Sequence, residues 1–180
     1  NETDEVNNQS KKEFKKKTVS TNKNKKTPLA KNSNHNEDIN RLAPDVRQAD
    51  RDEIMASHGL EPLPALAYCM GSSEESNTMI DDNKDIIGMF GVAKFGELGV
   101  PWMLSSERIY QKKIARQFLI QSKQWIDSTM LRYMILTNFV SADNTKAIKW
   151  LKYLGFSFVN LDKEHGVGKK PFYEFIKIRS

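Results

Sequence analysis

The chain has 180 residues, of which 28 are Lys or Arg and 23 are Asp or Glu, so its formal net charge is +5. This length suits one domain with an additional segment, and the 38% share of hydrophobic residues indicates that part of the chain joins no core. The single cysteine excludes an internal disulfide framework and is typical of a reducing compartment, and no uncharged apolar run approaches the roughly 20 residues of a membrane span.

The excess positive charge lies in the first 36 residues. They contain nine lysines and four acidic residues, whereas residues 37–180 contain 19 basic and 19 acidic residues. A segment so poor in apolar side chains cannot bury enough surface to offset its ordering entropy, so on its own we expect it to be disordered. We therefore divide the chain into an extended Lys-rich arm, residues 1–36, and a folded domain, residues 37–180. The lysines of the arm are Lys11, Lys12, Lys15, Lys16, Lys17, Lys23, Lys25, Lys26 and Lys31.

The arm has three possible roles. It could be a solvated extension, it could neutralise the phosphates of DNA, or it could lie in an acidic groove of a partner protein. Because it contains lysine and no arginine, it lacks the bidentate fork used for reading bases, so any DNA contact is expected to be non-specific.

The first part of the folded domain is predicted to contain two helices followed by strands. The first helix covers residues 45–57 and ends before Gly59, and the second runs from Pro62 to Gly71. A short strand near Met79 and Ile80 precedes two longer apolar strands joined by a tight turn, which cover residues 86–95 and 100–105.

The second part begins with a long amphipathic helix, predicted over residues 107–128. Its inner face repeats at helical spacing and comprises Ile114, Phe118, Ser122 and Trp125. Residues 133–140 form a strand that is apolar on both faces and therefore central. A short helix capped by Asp143 or Asn144 ends at Gly155, and two final strands cover residues 156–161 and 172–178. This order predicts an α/β (α+β) domain.

Most residue patterns that carry chemistry are missing from the sequence. His35, His58 and His165 have no metal-ligand spacing, so we predict no metal site. The sequence contains neither a GxSxG elbow nor a GxxxxGK[ST] loop. Cys69 falls on a predicted buried helix face, where a small core residue is a better interpretation than a nucleophile.

One constellation does stand out after the central strand. Asn144-x-x-Ala147, followed by Leu151-x-x-x-Gly155-Phe156, resembles the last conserved motif of the GNAT N-acetyltransferase superfamily. The resemblance implies a mixed central sheet flanked by helices, in which the fourth and fifth strands splay apart and acyl-CoA enters between them. The residues that it places at such a cleft are Trp102, Ser105, Asn138 and Asn144.

The sequence departs from the superfamily at both functional positions. The enzymes carry a glycine-rich loop after the fourth strand, whose N–H groups hold the pyrophosphate, but residues 105–115 contain no glycine. The tyrosine that commonly protonates the departing thiolate falls on Leu151, which cannot donate a proton, and Tyr153 lies about 200° around the helix from it. We therefore predict a vestigial cleft with no catalytic residue and no cofactor.

A narrower resemblance covers nearly the whole folded domain. The strings 47–54 (RQADRDEI), 89–92 (MFGV), 100–104 (VPWML) and 144–156 (NTKAIKWLKYLGF) resemble the GNAT-fold internal virion or head-morphogenesis proteins of short-tailed phages. The resemblance implies a non-catalytic virion protein in the head interior or portal region, and in the host cytoplasm during assembly. It would dock in multiple copies to portal, core or capsid proteins.

Two alternatives remain open. The first is an active acyl-CoA-dependent N-acetyltransferase, with Glu97, Glu107 or a water molecule as base. The second is a host-directed DNA-binding protein, against which the neutral folded domain and the absence of arginine from the arm both count.

Overall fold

The computed structural model describes the backbone of residues 30–32 and the whole of residues 36–180. Eight of the nine arm lysines lie outside these residues, and only the backbone of Lys31 lies within them. The boundary between arm and folded domain after residue 36 stays a prediction. The described chain places residues 30–32 in a short strand and begins a helix at Asn36.

The described chain forms five α-helices and seven strands. The elements are β1 (Ala30–Asn32), α1 (Asn36–Leu42), α2 (Gln48–His58), α3 (Pro62–Gly71), β2 (Ser73–Ile80), β3 (Ile86–Phe95), β4 (Leu98–Ser105), α4 (Lys112–Thr129), β5 (Ile135–Ser141), α5 (Thr145–Tyr153), β6 (Ser157–His165) and β7 (Lys170–Ile178). Two 3-10 turns, Ala43–Asp45 and Glu107–Tyr110, precede α2 and α4. None of the helices in the described residues is long and apolar enough to cross a membrane.

The strands form one mixed sheet in the order β1-β2-β3-β4-β5-β7-β6. Every neighbouring pair is antiparallel except β4 and β5, which run parallel. These two strands pair over only two positions, Leu98 with Ile135 and Gly99 with Leu136, and then separate. The predicted mixed sheet with its splayed fourth and fifth strands is therefore confirmed.

Helices cover both faces of the sheet. On one face, α1 and α3 pack on β3 and β4 through Ile39, Leu42, Leu66, Met89 and Leu104. On the other face, α4 and α5 pack on β5 and β7 through a second core that includes Ile126, Leu136, Leu151, Leu154 and Phe175. The sheet is thus the middle layer of three, and the gap between β4 and β5 opens toward both helical layers.

Several element boundaries differ from those that the sequence predicts. The long helix begins at Lys112 instead of residue 107, because Gln111 adopts an extended backbone (φ −61°, ψ 129°) that interrupts the helical path. Strand β2 is six residues longer than expected, and β6 and β7 extend through most of a segment predicted to be a loop. Pairing with a neighbouring strand holds these polar residues extended even though they lack an apolar alternation.

Candidate functional site

A cavity of about 690 Å³ occupies the gap between β4 and β5. It reaches α2 and α3 on one side of the sheet and α4 and α5 on the other. Most of its lining is aromatic or aliphatic, and all three tryptophans of the chain, Trp102, Trp125 and Trp150, contribute to it. Its size and its apolar walls are typical of ligand-binding pockets.

The side chain of Asn138 joins the two separated strands across this gap. Its amide nitrogen donates to the carbonyl oxygen of Pro101 on β4 at 2.8 Å, and its amide oxygen accepts the N–H of Phe139 on β5 at 2.8 Å. The proline has no N–H of its own to offer. The Asn138 side chain therefore provides a hydrogen-bond partner for one backbone group at the facing edge of each strand.

Residues at the start of α2 form hydrogen bonds with Ser105, the last residue of β4. The Ser105 N–H donates to the Asp50 carboxylate at 3.0 Å, and the Ser105 carbonyl accepts the N–H of Arg47 at 2.8 Å. Arg47 and Asp50 form a buried ion pair at 2.7 Å. The hydroxyl of Ser105 is buried and has no hydrogen-bond partner among the described residues.

Glu53 places a carboxylate inside the cavity. It accepts a hydrogen bond from the side chain of Asn144 at 2.9 Å and another from the backbone N–H of Ser141. Desolvation raises the pKa of Glu53 to about 7, and the negative charge of Asp50 acts in the same direction. A carboxyl group with this pKa can exchange a proton near neutral pH.

Sequence reasoning missed the cluster of Arg47, Asp50 and Glu53. These residues follow one another at intervals of three, so they share one face of α2 and the turn before it. The sequence did carry one indication of a polar site: these three charged residues lie on the helix face that should pack on the sheet, where apolar residues are expected.

Tyr110 lies between the start of α2 and the start of α5. Its hydroxyl is hydrogen-bonded by the Arg47 guanidinium, and Lys146 Nζ lies 4.0 Å from the centre of its ring. Desolvation raises the pKa of Tyr110. Two cationic side chains from different elements are therefore held on one aromatic ring at this end of the molecule.

An acidic turn lies beside the start of α4, where the enzymes hold a pyrophosphate. Arg108 forms ion pairs with Asp81 and, at 3.6 Å, with Asp85, and Lys113 forms one with Asp82. Arg108 and Lys113 are thus paired within the chain, and the three carboxylates of the turn lie beside the segment that corresponds to the glycine-rich loop of the enzymes.

The other residues singled out from the sequence differ in whether they line the cavity. Leu151 is buried and lines the cavity, whereas Tyr153 is half exposed and lies outside the lining, as do Glu97 and Glu107. Trp102 lines the cavity and donates its indole N–H to the Ser73 hydroxyl at 2.7 Å. Asn144 also caps α5, since its side-chain oxygen accepts the N–H of Ala147.

Cys69 also lines the cavity, and desolvation raises the pKa of its thiol to about 11. A thiol held protonated in this way is a poor nucleophile. Within the described residues, no three His, Cys, Asp or Glu side chains lie close enough together to hold a metal ion.

The three-layer arrangement and the splayed strands define the fold of the GNAT N-acetyltransferases. Similar solved structures include a GNAT acetyltransferase from Bacillus anthracis (11% identity, TM-score 0.60) and a GCN5-related N-acetyltransferase from Kribbella flavida (14%, 0.60). Another is the spermidine N-acetyltransferase from Vibrio cholerae in complex with CoA and spermine (15%, 0.60). Each match covers 83% of this chain and 93%, 96% and 94% of the other chain, respectively. At these identities the likeness shows the fold alone.

Within that fold, residues 90–165 match the family described as "Bacteriophage T7, probable scaffold protein Gp13". This match confirms the resemblance to a phage head-protein family. It spans β4, α4, β5, α5 and β6, and it leaves the Arg47–Ile54 string outside. No curated protein matches the sequence.

Proposed function

We propose that this chain is a non-catalytic phage virion-assembly protein built on a degenerate acetyltransferase fold. The observation that carries the proposal is the match of residues 90–165 to a phage scaffold-protein family, because this segment includes both strands that border the cleft. The matched family is described as a probable scaffold protein, whereas the fold of this chain is also that of N-acetyltransferases. Fold alone does not assign function, so the residues of the cleft must be weighed separately.

Three sets of contacts in the cleft and beside it support a structural role. The side chain of Asn138 spans the gap between β4 and β5. Arg47 and Asp50 form hydrogen bonds with the backbone C=O and N–H of Ser105. The acidic turn forms ion pairs with Arg108 and Lys113. An acyl-CoA molecule entering between the strands would have to displace the first two and place its pyrophosphate near three carboxylates. Each displaced buried group would lose a hydrogen bond that is costly to leave unmade.

The folded domain would dock to portal, core or capsid proteins, and the Lys-rich arm would contact a partner protein or packaged DNA. A net charge of zero over residues 37–180 suits contacts between proteins, and nine lysines over residues 1–36 suit an acidic groove or a phosphate backbone. The protein would act in several copies of a symmetric assembly in the head interior or portal region, after a period in the host cytoplasm.

One observation favours the second candidate, an acyl-CoA-dependent N-acetyltransferase. Glu53 faces the cavity with a pKa of about 7, and a carboxylate of this kind could accept the proton of an amine. Under this alternative Glu53 is the base, in place of the Glu97 and Glu107 suggested by sequence.

Calorimetry with acetyl-CoA and with CoA tests the two candidates, with the spermidine N-acetyltransferase of Vibrio cholerae as a positive control. We expect no binding tighter than about 1 mM, because the cleft contacts are already made within the chain. A dissociation constant near 1 μM, about −8 kcal/mol, together with turnover that Glu53→Gln abolishes, would establish the enzyme instead. Mass spectrometry of purified particles tests the virion role directly.

A further inference from the structure

The two helical layers carry opposite charge. The helices α4 and α5, which cover one face of the sheet, contain seven basic residues and one acidic residue. Residues 36–71, which form α1, α2 and α3 on the other face, contain seven acidic residues and three basic ones. The folded domain has a formal net charge of zero, yet its charge is strongly polarised across the sheet.

The basic charges lie on the outer surface of their layer. The exposed cationic side chains of α4 and α5 that form no ion pair with another described residue are Lys112, Arg116, Lys146, Lys149 and Lys152, and they define the basic face. On each helix they recur at intervals of three or four residues, so they form a stripe. The two stripes lie side by side because the helices pack through Phe118 and Trp150, whose ring centres are 4.9 Å apart.

The opposite layer presents carboxylates that are also unpaired. The exposed acidic side chains of residues 36–71 that form no ion pair with another described residue are Glu37, Asp45, Asp52 and Glu61, and they define the acidic face. The guanidinium of Arg51, in the same layer, donates to backbone carbonyl groups of residues 43, 44 and 46 instead. Within the described chain, each face therefore lacks its counter-charges.

Each face also exposes apolar side chains among its charges. On α4, Ile120 is 52% exposed and lies one turn from Arg116. In the acidic layer, Tyr68 on α3 is 61% exposed, and Met55 is exposed one turn from Asp52 on α2. Exposed aromatic and aliphatic side chains within a charged rim are typical of protein interfaces, whereas contacts to a phosphate backbone are made by charge and hydrogen bonds. These side chains therefore favour a protein partner over nucleic acid.

We propose that copies of this chain associate head to tail, with the basic face of one copy against the acidic face of the next. The faces are complementary in charge, and because they lie on opposite sides of the sheet, every copy offers both. Pairing two like faces about a two-fold axis would bring like charges together, so the contact is heterologous, and contacts of this kind build rings or filaments. The inference rests on the assembly role proposed above and names a second copy of the chain as the partner.

Sedimentation velocity of the nuclease-treated full chain tests the contact. The chain should self-associate, and the association should weaken steeply when NaCl is raised from about 50 mM to about 500 mM. Two variants reverse charges on one face each: Arg116→Glu with Lys149→Glu, and Asp52→Lys with Glu61→Lys. Each variant alone should raise the dissociation constant roughly tenfold or more. All four side chains are exposed, so both variants should keep the circular dichroism of the unmodified chain.

Mixing the two variants is the decisive measurement. The first retains the acidic face and the second retains the basic face, so the mixture should associate although neither variant does so alone. The control, Lys94→Glu with Lys163→Glu, changes the net charge as much as the basic-face variant does but lies on strands β3 and β6, so it should associate normally.

Four outcomes would overturn the proposal. The unmodified chain could be a monomer, or it could associate independently of salt. The control could lose association as fully as the basic-face variant, which would make net charge the cause. The basic-face variant could still associate, in which case the Lys-rich arm or another surface binds the neighbouring copy. The virion role would survive each of these outcomes, because mass spectrometry of purified particles tests it separately.

Discussion

The side chain of Asn138 donates to the backbone carbonyl of Pro101 at 2.8 Å, at the point where β4 and β5 move apart. One amide group thereby bridges two strands that share only two paired positions. The bridge satisfies a strand edge that would otherwise face the cavity, and edges of this kind usually require a partner.

Replacing Asn138 should therefore destabilise the protein. In Asn138→Ala the Pro101 carbonyl and the Phe139 N–H both lose their partner, and we expect a loss of about 1–3 kcal/mol in the free energy of unfolding. Chemical denaturation measures this loss. Asn160→Ala, an exposed asparagine on the edge strand β6, is the control and should change stability by at most about 0.5 kcal/mol. Equal effects would mean that the bridge contributes nothing.

The raised pKa of Glu53 predicts how stability depends on pH. Because the folded state holds the Glu53 proton up to about pH 7, whereas the ordinary pKa of a glutamate side chain is 4.5, folding takes up a proton between these two values. The contribution of this group to stability is therefore greatest below pH 4.5, falls as the pH rises to about 7, and is constant above. The full change would be on the order of 3 kcal/mol.

Denaturation of Glu53→Gln at several pH values tests this prediction. The variant cannot ionise at this position, so the decline between pH 4.5 and 7 should disappear or become much shallower. Glu164→Gln, on the exposed edge of the sheet, should retain the decline. A decline of the same size in Glu53→Gln would show that another group is responsible.

Gly155 follows α5 with a φ of +86°, a conformation in which a Cβ is unfavourable. An added Cβ would also lie 3.3 Å from Lys177 Nζ. Gly155→Val should then lower the free energy of unfolding by about 1 kcal/mol or more. Lys149→Ala, on the exposed face of α5, should change it by at most about 0.5 kcal/mol. Thermal melts that rank the two variants the other way would contradict this account of the helix end.

The arm yields a prediction about DNA. If its lysines neutralise phosphates, binding to duplex DNA should be indifferent to sequence and fall steeply with salt. Six to eight contacts would give a log–log slope of about −5 to −7. Deleting residues 1–29, which contain eight of the nine lysines and end before β1, should abolish this binding without a large change in melting temperature.

A shorter deletion provides the matched control for the arm. Residues 1–10 contain three acidic residues and no lysine, so removing them should leave DNA binding intact or strengthen it slightly. If both deletions leave the affinity unchanged, the folded domain binds the DNA. If the full chain does not bind DNA at all, a partner protein is the remaining ligand for the arm, and cross-linking from Lys15 or Lys26 in assembled particles would identify it.

The sequence alone determined the elements whose information is local. Helix α5 was predicted from a cap at Asp143 or Asn144, from its apolar face and from the glycine that follows it; the structure shows that Asn144 is the cap and that Gly155 follows the helix with a positive φ. Strand β3 was predicted to the residue, because an uninterrupted apolar run between turn residues is a strong local pattern. The order of such elements predicted an α/β (α+β) domain, and the resemblance of the motif that ends at Phe156 implied the mixed central sheet flanked by helices.

Other elements depend on contacts with distant parts of the chain. Strand β2 extends back to Ser73 although its first half is polar, because Glu75 is held by Trp125 at 2.8 Å and by Arg132 at 2.5 Å. These partners lie 50 and 57 positions away in the sequence. No local pattern in this segment could indicate a strand whose polar side chains find their partners on α4 and just beyond it.

The candidate site was decided by tertiary structure for the same reason. Glu53 and Asn144 are 91 positions apart, and Asn138 and Pro101 are 37 apart, yet each pair is joined by a hydrogen bond in the cleft. The pKa of Glu53 is set by burial, which depends on the packing of the whole domain around it. Periodicity and capping act within a few residues, so the sequence determines the helices and strands, whereas desolvation and cross-strand contacts exist only once those elements have packed.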